Sequence, residues 1–314
     1  MSFLEAAQLN PPFCGTNDIV GDLIQVRIVG GDKVESPGRW PWACSFGYFE
    51  SSVWKHKCGG SLISYEHVIT AAHCIVAFEI NKWKLNVRCG DFNLKDVKDD
   101  RNAQTRKVTD HHTYQKYKFR SKNNDIAILT VNDNFLPSEF VKPICLYAGV
   151  VRSSLIVIGW GSTVENDSKN TSDVLRASTQ QKLDAKACTS TLTMFERQDY
   201  QNGAFGEDVF CAANPTGKQS GSCWGDSGGP IFSLNSEENR YELMGIVNAG
   251  GGCGHLDNPD TYTSAVHPPI LHFIEKTVEG QAGESHWSEI IDKLGPSCPS
   301  LLISSSSQMI SWSY

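Results

Sequence analysis

Short stretches in which apolar and polar residues alternate run through most of the chain. From Trp40 onward these stretches are separated by turns of glycine, asparagine and aspartate. Residues 60–64 and 125–131 are two such stretches. A period of two residues is typical of half-buried β-strands, and regularly spaced short strands favour an all-β sandwich or barrel. Residues 268–278 instead have the apolar spacing of an amphipathic helix. We therefore expect an all-β fold that ends in one helix.

The C-terminal residues 279–314 have a different character. Residues 281–285 are typical of a linker, and residues 304–307 are four consecutive serines. Sequence of this kind buries too little apolar surface to fold on its own, so we expect a mobile C-terminal extension.

Charge and cysteine content narrow the class of protein. The 314 residues carry a formal net charge of −7, which disfavours nucleic acid or an anionic membrane as the main partner. No apolar run approaches the roughly 18 residues of a membrane-spanning helix. Eleven cysteines are typical of an oxidising compartment, so we expect a secreted protein. Residues 1–7 nevertheless lack the basic and apolar regions of a signal peptide.

Three short segments carry the candidate chemistry. They are Thr-Ala-Ala-His-Cys at residues 70–74, Asn-Asp-Ile-Ala-Ile-Leu at 124–129 and Gly-Asp-Ser-Gly-Gly-Pro at 225–230. Each is weak alone, because a serine between glycines is commonly a turn. Together, in this order, they resemble the chymotrypsin/trypsin family of serine endopeptidases. The resemblance runs from about residue 27 to about residue 278.

This resemblance implies a fold of two antiparallel six-stranded β-barrels, about residues 28–140 and 150–265, followed by the C-terminal helix. The serine protease domain would span residues 28–278, with the active site between the barrels. We expect no cofactor. The partners that the resemblance implies are protein or peptide substrates and an activating protease, and protein inhibitors are a further class of partner.

The family's catalytic roles carry over to matching residues of this chain. Ser227 would be the nucleophile, His73 the general base and acid, and Asp125 the group that orients His73. The backbone N–H groups of Gly225 and Ser227 would form the oxyanion hole. Of the other histidines, His67 lacks the Ala-Ala-His-Cys setting, and His111 and His112 lie among basic residues.

The family also implies activation by cleavage. Residues 1–27 resemble a propeptide, because Arg27 and Ile28 open an Arg-Ile-Val-Gly-Gly sequence like the family's activation junction. The new ammonium of Ile28 would pair with the carboxylate of Asp226 and order the oxyanion loop.

Alignment to the family pairs eight of the cysteines. The implied disulfides are Cys14–Cys145, Cys58–Cys74, Cys188–Cys211 and Cys223–Cys253. Cys44 and Cys89 fall on neighbouring strands of the first barrel, so we predict an additional disulfide between them, with two buried free thiols as the alternative. Cys298 would then be unpaired.

The substrate pocket departs from the family pattern. Trypsin-like relatives carry an aspartate at the position of Gly221, whereas here the opposite wall supplies one, Asp260. We expect cleavage after arginine or lysine, with broad specificity as the alternative. If neighbouring hydroxyls such as that of Ser222 satisfy Asp260, a chymotrypsin-like pocket remains. Asn248 and Ala249 replace the usual serine and tryptophan. The remaining pocket positions are Ser222, Trp224 and Gly250.

Two further patterns concern ions and glycans. Acidic residues between 91 and 100 lie where some relatives bind calcium, but lysines interrupt them, so we expect a solvated loop and no metal. Asn166 and Asn170 begin N-glycosylation sequons.

These features predict a secreted, zymogen-activated serine endopeptidase. The alternative is a non-catalytic, protease-like binding protein, because fold alone does not fix function.

Overall fold

The computed structural model describes residues 10–17, 32–34, 36–96, 101–118, 122–164, 170–191, 206–216, 220–249, 253 and 259–281. Arg27, Ile28, Gly250, Cys298 and most of the C-terminal extension lie outside these residues. The first element, β1 (Asp32–Lys33), is a strand of two residues.

Six antiparallel strands form the first barrel. They are β2 (Ala43–Glu50), β3 (Val53–Leu62), β4 (His67–Thr70), β5 (Asn86–Cys89), β6 (Gln104–Thr113) and β7 (Ala127–Val131). The sheet closes in the order β2-β3-β4-β7-β6-β5. Both β4 and β7 are buried along their whole length, which explains why β7 is a nearly continuous apolar run rather than an alternating one.

A short helix follows directly on β4. Helix α1 (Ala72–Asn81) buries Cys74, Ile75 and Phe78 on one face, a spacing that matches the helical period. It ends where Lys82 turns left-handed, with φ 54°. His73 therefore lies on the first turn of a helix that is packed against the first barrel.

The second barrel has the same construction. Its strands are β8 (Ser154–Gly159), β9 (Arg176–Lys182), β10 (Val209–Ala213), β11 (Pro230–Asn235), β12 (Arg240–Ala249) and β13 (Asp260–Ser264). They pair in the order β9-β10-β13-β12-β11-β8, and pairing of β8 with β9 closes the ring. Helix α2 (Ala185–Thr191) follows β9, and helix α3 (Pro268–Gln281) follows β13. The expected all-β fold of two barrels is confirmed.

Two boundaries differ from the sequence-based expectation. Strand β1 pairs with β9 of the second barrel, with Asp32 opposite Ala177, although the sequence assigned residues after 28 to the first barrel. The pairing is long-range, so no local pattern could reveal it. Helix α3 continues to Gln281, beyond the expected residue 278.

Aromatic side chains join the two barrels. Trp40 and Trp42 lie just before β2 of the first barrel. Their rings contact Phe232 of β11 at centroid distances of 5.0 and 5.2 Å. Tyr241 of β12 completes the cluster, 5.1 Å from Trp40. Because tilted and edge-on aromatic pairs add roughly 0.5–1.5 kcal/mol each beyond burial, this cluster fixes the barrels relative to each other.

Five disulfides lie within the described residues. The Cys44–Cys89 bond joins directly opposed residues of β2 and β5, whose Cα atoms are 4.2 Å apart, so the additional disulfide is present. The other four are those that family alignment implied: Cys14–Cys145, Cys58–Cys74, Cys188–Cys211 and Cys223–Cys253.

The expectation of a solvated acidic loop is wrong for Asp91. Its side chain is buried, and its Oδ2 lies 2.5 Å from Nε of Arg88. A carboxylate can be buried when a guanidinium neutralises it, and Arg88 on the neighbouring strand supplies that charge. Asp99 and Asp100 lie outside the described residues.

Among the described residues, no helix combines the length and the apolar character that crossing a membrane requires.

Candidate active site

The geometry begins with a histidine and a carboxylate on the first barrel. His73 Nδ1 lies 2.6 Å from Asp125 Oδ2, and the backbone N–H of His73 donates to Asp125 Oδ1 at 2.8 Å. The Asp125 side chain is 1% exposed and that of His73 is 37% exposed. The buried carboxylate therefore accepts two bonds from one residue and fixes the orientation of the imidazole.

Ser227 lies in the loop that precedes β11 of the second barrel, and its main chain contacts the first barrel. Its carbonyl oxygen accepts a hydrogen bond of 2.8 Å from the backbone N–H of Gly59 on β3. Cys74 Sγ lies 3.8 Å from this carbonyl oxygen and 3.7 Å from His73 Nε2. Ser227 and His73 thus contact the same sulfur atom. No hydrogen bond joins the Ser227 hydroxyl to His73 within the described residues, and such bonds commonly tighten only when substrate binds.

The loop around Ser227 exposes two backbone donors. The N–H groups of Asp226, Gly228 and Gly229 donate to carbonyl oxygens of Cys223, Val247 and Asp226. Those of Gly225 and Ser227 have no acceptor within the part of the chain that the structure describes. Two N–H groups without an acceptor, on either side of Asp226, can stabilise an oxyanion.

His56 is a site residue that the sequence analysis missed. Its Nε2 donates to the carbonyl oxygen of Gly225 at 2.9 Å, and its Nδ1 accepts from the Ser45 hydroxyl at 2.8 Å. Loss of solvation lowers the pKa of His56 to about 4, so the ring is neutral and holds the oxyanion loop by a directional bond. In the sequence, only its position two residues before Cys58 could have indicated this role.

Asp226 lies buried beneath this loop. Its carboxylate accepts backbone N–H bonds from Gly161 at 2.7 Å and Cys223 at 2.9 Å. Burial raises the pKa of Asp226 to about 6, and no cationic side chain among the described residues forms an ion pair with it. A cavity of about 30 Å³ adjoins it, lined by residues that include Ser162, Arg176 and Gly221.

Asp260 lies 2% exposed at the start of β13. Its Oδ2 accepts a 2.5 Å bond from the backbone N–H of Ser222 and a 3.5 Å bond from the Tyr262 hydroxyl. Its Oδ1 has no hydrogen-bond partner among the described residues. Burial above all, and then the charge of Asp226, raises the pKa of Asp260 to about 7.

The other pocket positions surround this loop. Gly221 and Ser222 line the cavity beside Asp226, and Trp224 is 58% exposed. The side chain of Asn248 does not reach the Asp125 carboxylate. Its Nδ2 donates to the carbonyl oxygen of Lys122 and, at 3.1 Å, to the Thr263 hydroxyl.

Three other histidines have partners outside the site. His67 Nδ1 lies 2.8 Å from the Ser64 hydroxyl, within the first barrel. His111 and His112 lie 3.5 and 3.4 Å from the carboxylates of Glu79 and Asp110.

One grouping has the composition of a metal site, since Cys58 and Cys74 cluster with His73. The two sulfurs are bonded to each other, so the group lacks the thiolates that a metal would require.

Comparisons with known proteins support the resemblance to the trypsin-like family. A family model described as Trypsin matches residues 28–268. The chain is also 31% identical over 264 residues to a proclotting enzyme from Tachypleus tridentatus, a match that covers 81% of this chain and 66% of the relative. The chain therefore spans just under two thirds of the length of that relative.

We predict that Asp226→Asn changes how the stability of the full-length chain depends on pH. Because the folded-state pKa is raised from 3.8 to about 6, folding favours the protonated carboxyl. This contribution is fully present below about pH 4 and is lost as the pH rises through 6. The difference in unfolding free energy between wild type and variant should therefore fall by on the order of 3 kcal/mol between pH 3.5 and 7.

Urea unfolding at a series of pH values measures this difference. The amide also misfits the two N–H donors, but that penalty is the same at every pH. Asp133→Asn, at an exposed carboxylate, is the matched control and should leave the pH dependence unchanged. A difference between wild type and Asp226→Asn that did not vary with pH would contradict the prediction.

Proposed function

Because the chain belongs to the trypsin-like serine protease family, we propose that it is an active endopeptidase whose nucleophile is Ser227. The observation that carries the proposal is the assembly across the two barrels. The His73–Asp125 pair, 2.6 Å apart, belongs to the first barrel, and the Ser227 loop is bonded to that barrel through Gly59.

In the proposed mechanism, His73 Nε2 takes the proton of the Ser227 hydroxyl as its oxygen attacks the substrate carbonyl. Asp125 keeps the Nδ1 proton in place and stabilises the imidazolium that forms. The developing oxyanion accepts from the free N–H groups of Gly225 and Ser227. His73 then donates its proton to the leaving amine, and a water molecule, activated in the same way, hydrolyses the acyl-enzyme.

The second candidate function is a protease-like binding protein. The replacement of the family's serine and tryptophan by Asn248 and Ala249 favours it. It requires that Ser227 be unreactive, which makes covalent labelling the discriminating experiment.

The surroundings of Asp226 support activation by cleavage after Arg27. Ionised Asp226 is costly to bury without a counter-charge, and a cavity lies beside its carboxylate. The ammonium of Ile28 would supply the missing positive charge. The relative's printed name denotes a pro-form, and Cys14–Cys145 would keep the propeptide attached after cleavage.

Asp260 supports a preference for substrates with arginine or lysine before the cleaved bond. Its buried carboxylate has one oxygen without a partner among the described residues. A substrate guanidinium or ammonium would satisfy that oxygen and neutralise the charge.

The disulfide-rich fold fits an extracellular setting, where protein substrates, an activating protease and protein inhibitors are the partners we propose. Asn170 is exposed and therefore available for N-glycosylation, which stays a prediction. Asn166 lies outside the described residues.

We predict that Ser227→Ala lowers kcat by about 10⁶-fold, as in other triad knockouts, and abolishes covalent labelling by a fluorophosphonate. The cleaved wild type should be labelled on Ser227. Ser236→Ala, at an exposed serine, is the matched control and should keep both properties. Substantial hydrolysis by the Ser227→Ala protein would rule out the mechanism, and an unlabelled wild type would favour the binding protein.

We predict that the uncleaved chain is inactive and that Arg27→Gln keeps it so. Cleavage should release the N-terminal fragment on gels only after reduction, because Cys14 holds it. Arg101→Gln removes an exposed arginine and should be activated normally. Full activity of an Arg27→Gln protein with its N-terminus intact would sink the activation scheme.

We predict that Asp260→Gly reduces the ratio of arginine to phenylalanine cleavage, in kcat/KM, by about 10- to 100-fold, the worth of one charged hydrogen bond. Because the pKa of Asp260 is raised to about 7, the wild-type ratio should increase as the pH rises through 7 and the carboxyl ionises. The ratio in the variant should not follow pH. If the two proteins gave the same ratio, Asp260 would not determine specificity.

A further inference from the structure

The main chain makes a tight turn just before Asp125. Asn124 has φ 59°, in the left-handed region that asparagine enters more readily than most other residues with a side chain. The chain then turns directly into Asp125 and β7. The position of the Asp125 carboxylate therefore depends on what holds Asn124 in place.

A second carboxylate, from the other barrel, holds it. Asp208, 5% exposed, lies just before β10 and accepts from the backbone N–H of Asn124 and, at 3.3 Å, from Nδ2 of Asn123. Its own carbonyl oxygen accepts from the N–H of Ser264 on β13 at 2.7 Å. Asp208 is thus fixed to the second barrel while its side chain binds a loop of the first.

Two further side chains of the second barrel hold the same loop. Asn248 donates through Nδ2 to the carbonyl oxygen of Lys122. It also donates to the hydroxyl of Thr263, and that hydroxyl donates to the carbonyl oxygen of Asp125 at 3.1 Å. Both Asn248 and Thr263 are buried. The main chain from Lys122 to Asp125 is therefore held at three points by the barrel that carries Ser227.

We propose that Asp208 is a positioning residue for the reaction assigned above: it sets Asp125, and through it His73, in register with Ser227. The proposal rests on the proposed function, in which the base and the nucleophile belong to different barrels. A carboxylate suits the role because it offers acceptors to two N–H donors at once. Misplacement of about 1 Å can cost about 10²-fold in rate, so a loosened loop should lower kcat more than it changes KM.

The test exchanges the side chains of Asn123 and Asp208. Asp208→Asn leaves one acceptor oxygen where Asp208 offers two, and Asn123→Asp places two carboxylates opposite each other. The double variant Asn123→Asp/Asp208→Asn restores one acceptor for each donor and keeps the net charge of wild type. We expect each single variant to lose about 10- to 100-fold in kcat, with KM changed less than threefold, and the double variant to recover most of the loss. Asp133→Asn is the charge-matched control.

A spectroscopic readout separates this proposal from the proposed function. The Nδ1 proton of His73, hydrogen-bonded to Asp125, can be followed by NMR and assigned by its loss in His73→Ala. We expect the signal to shift or broaden in both single variants and to return in the double variant, whether or not the protein turns over substrate.

The outcomes are distinct. An inactive wild type with the expected NMR changes would overturn the function and support the positioning role. Single variants with unchanged kcat and an unchanged signal would overturn the positioning role alone. If the single variants fold and lose activity but the double variant recovers neither kcat nor the signal, the role is also overturned. Should Asp208→Asn fail to fold, Asn123→Asp alone, measured against the double variant, decides between these results.

Discussion

The site depends on a contact between two backbones that leaves no space for side chains. Gly59 of β3 donates to the carbonyl oxygen of Ser227 at 2.8 Å. A Cβ on Gly59 would lie 2.7 Å from the Cα of Gly229, and one on Gly228 would lie 2.2 Å from the Thr70 hydroxyl oxygen. Gly228 also has φ 77°, which glycine adopts without strain. Any side chain here would push Ser227 away from the helix that carries His73.

The close approach of Gly59 to Ser227 positions the site only if the two barrels are held rigidly. The tryptophans at residues 40 and 42 pack on Phe232 and Tyr241 across the same boundary, so the barrels cannot shift without breaking aromatic contacts. Close packing of this kind transmits small displacements instead of absorbing them. The hydrogen bonds from Asp208, Asn248 and Thr263 then add directional restraint to the non-directional apolar contact.

The parts of the site that could be predicted from the sequence are those in which neighbouring residues carry the information. His73, Asp125 and Ser227 each lie in a short segment that matches the family's pattern, and the alternation of apolar residues was enough for an all-β fold. The two barrels followed from the resemblance of those segments to the family. His56 could not be found this way, because its partners Ser45 and Gly225 are 11 and 169 residues away.

The same reason explains the other differences. Asp208 lies 84 residues from Asn124, whose N–H donates to its carboxylate. This contact forms only when the two barrels pack together. Arg88 and Asp91 are close in sequence, yet charge patterning alone predicted solvation, because burial of the pair depends on the strands around it. The pairing of β1 with β9 is likewise a tertiary choice that leaves no local pattern.

Activation and specificity share one short stretch of backbone. The N–H of Ser222 donates to Asp260, and the N–H of the next residue, Cys223, donates to Asp226. Both carboxyls have raised pKa values because burial disfavours their charged forms. A cation that arrives at either carboxyl favours its ionised form, and the bond from the N–H to that form is charge-assisted. Because these two N–H groups belong to adjacent residues, just before Gly225, ordering at one carboxyl restrains the other and the oxyanion donors together. In the proposed enzyme, the ammonium of Ile28 and the cationic side chain of a substrate would therefore act on the same loop from its two sides.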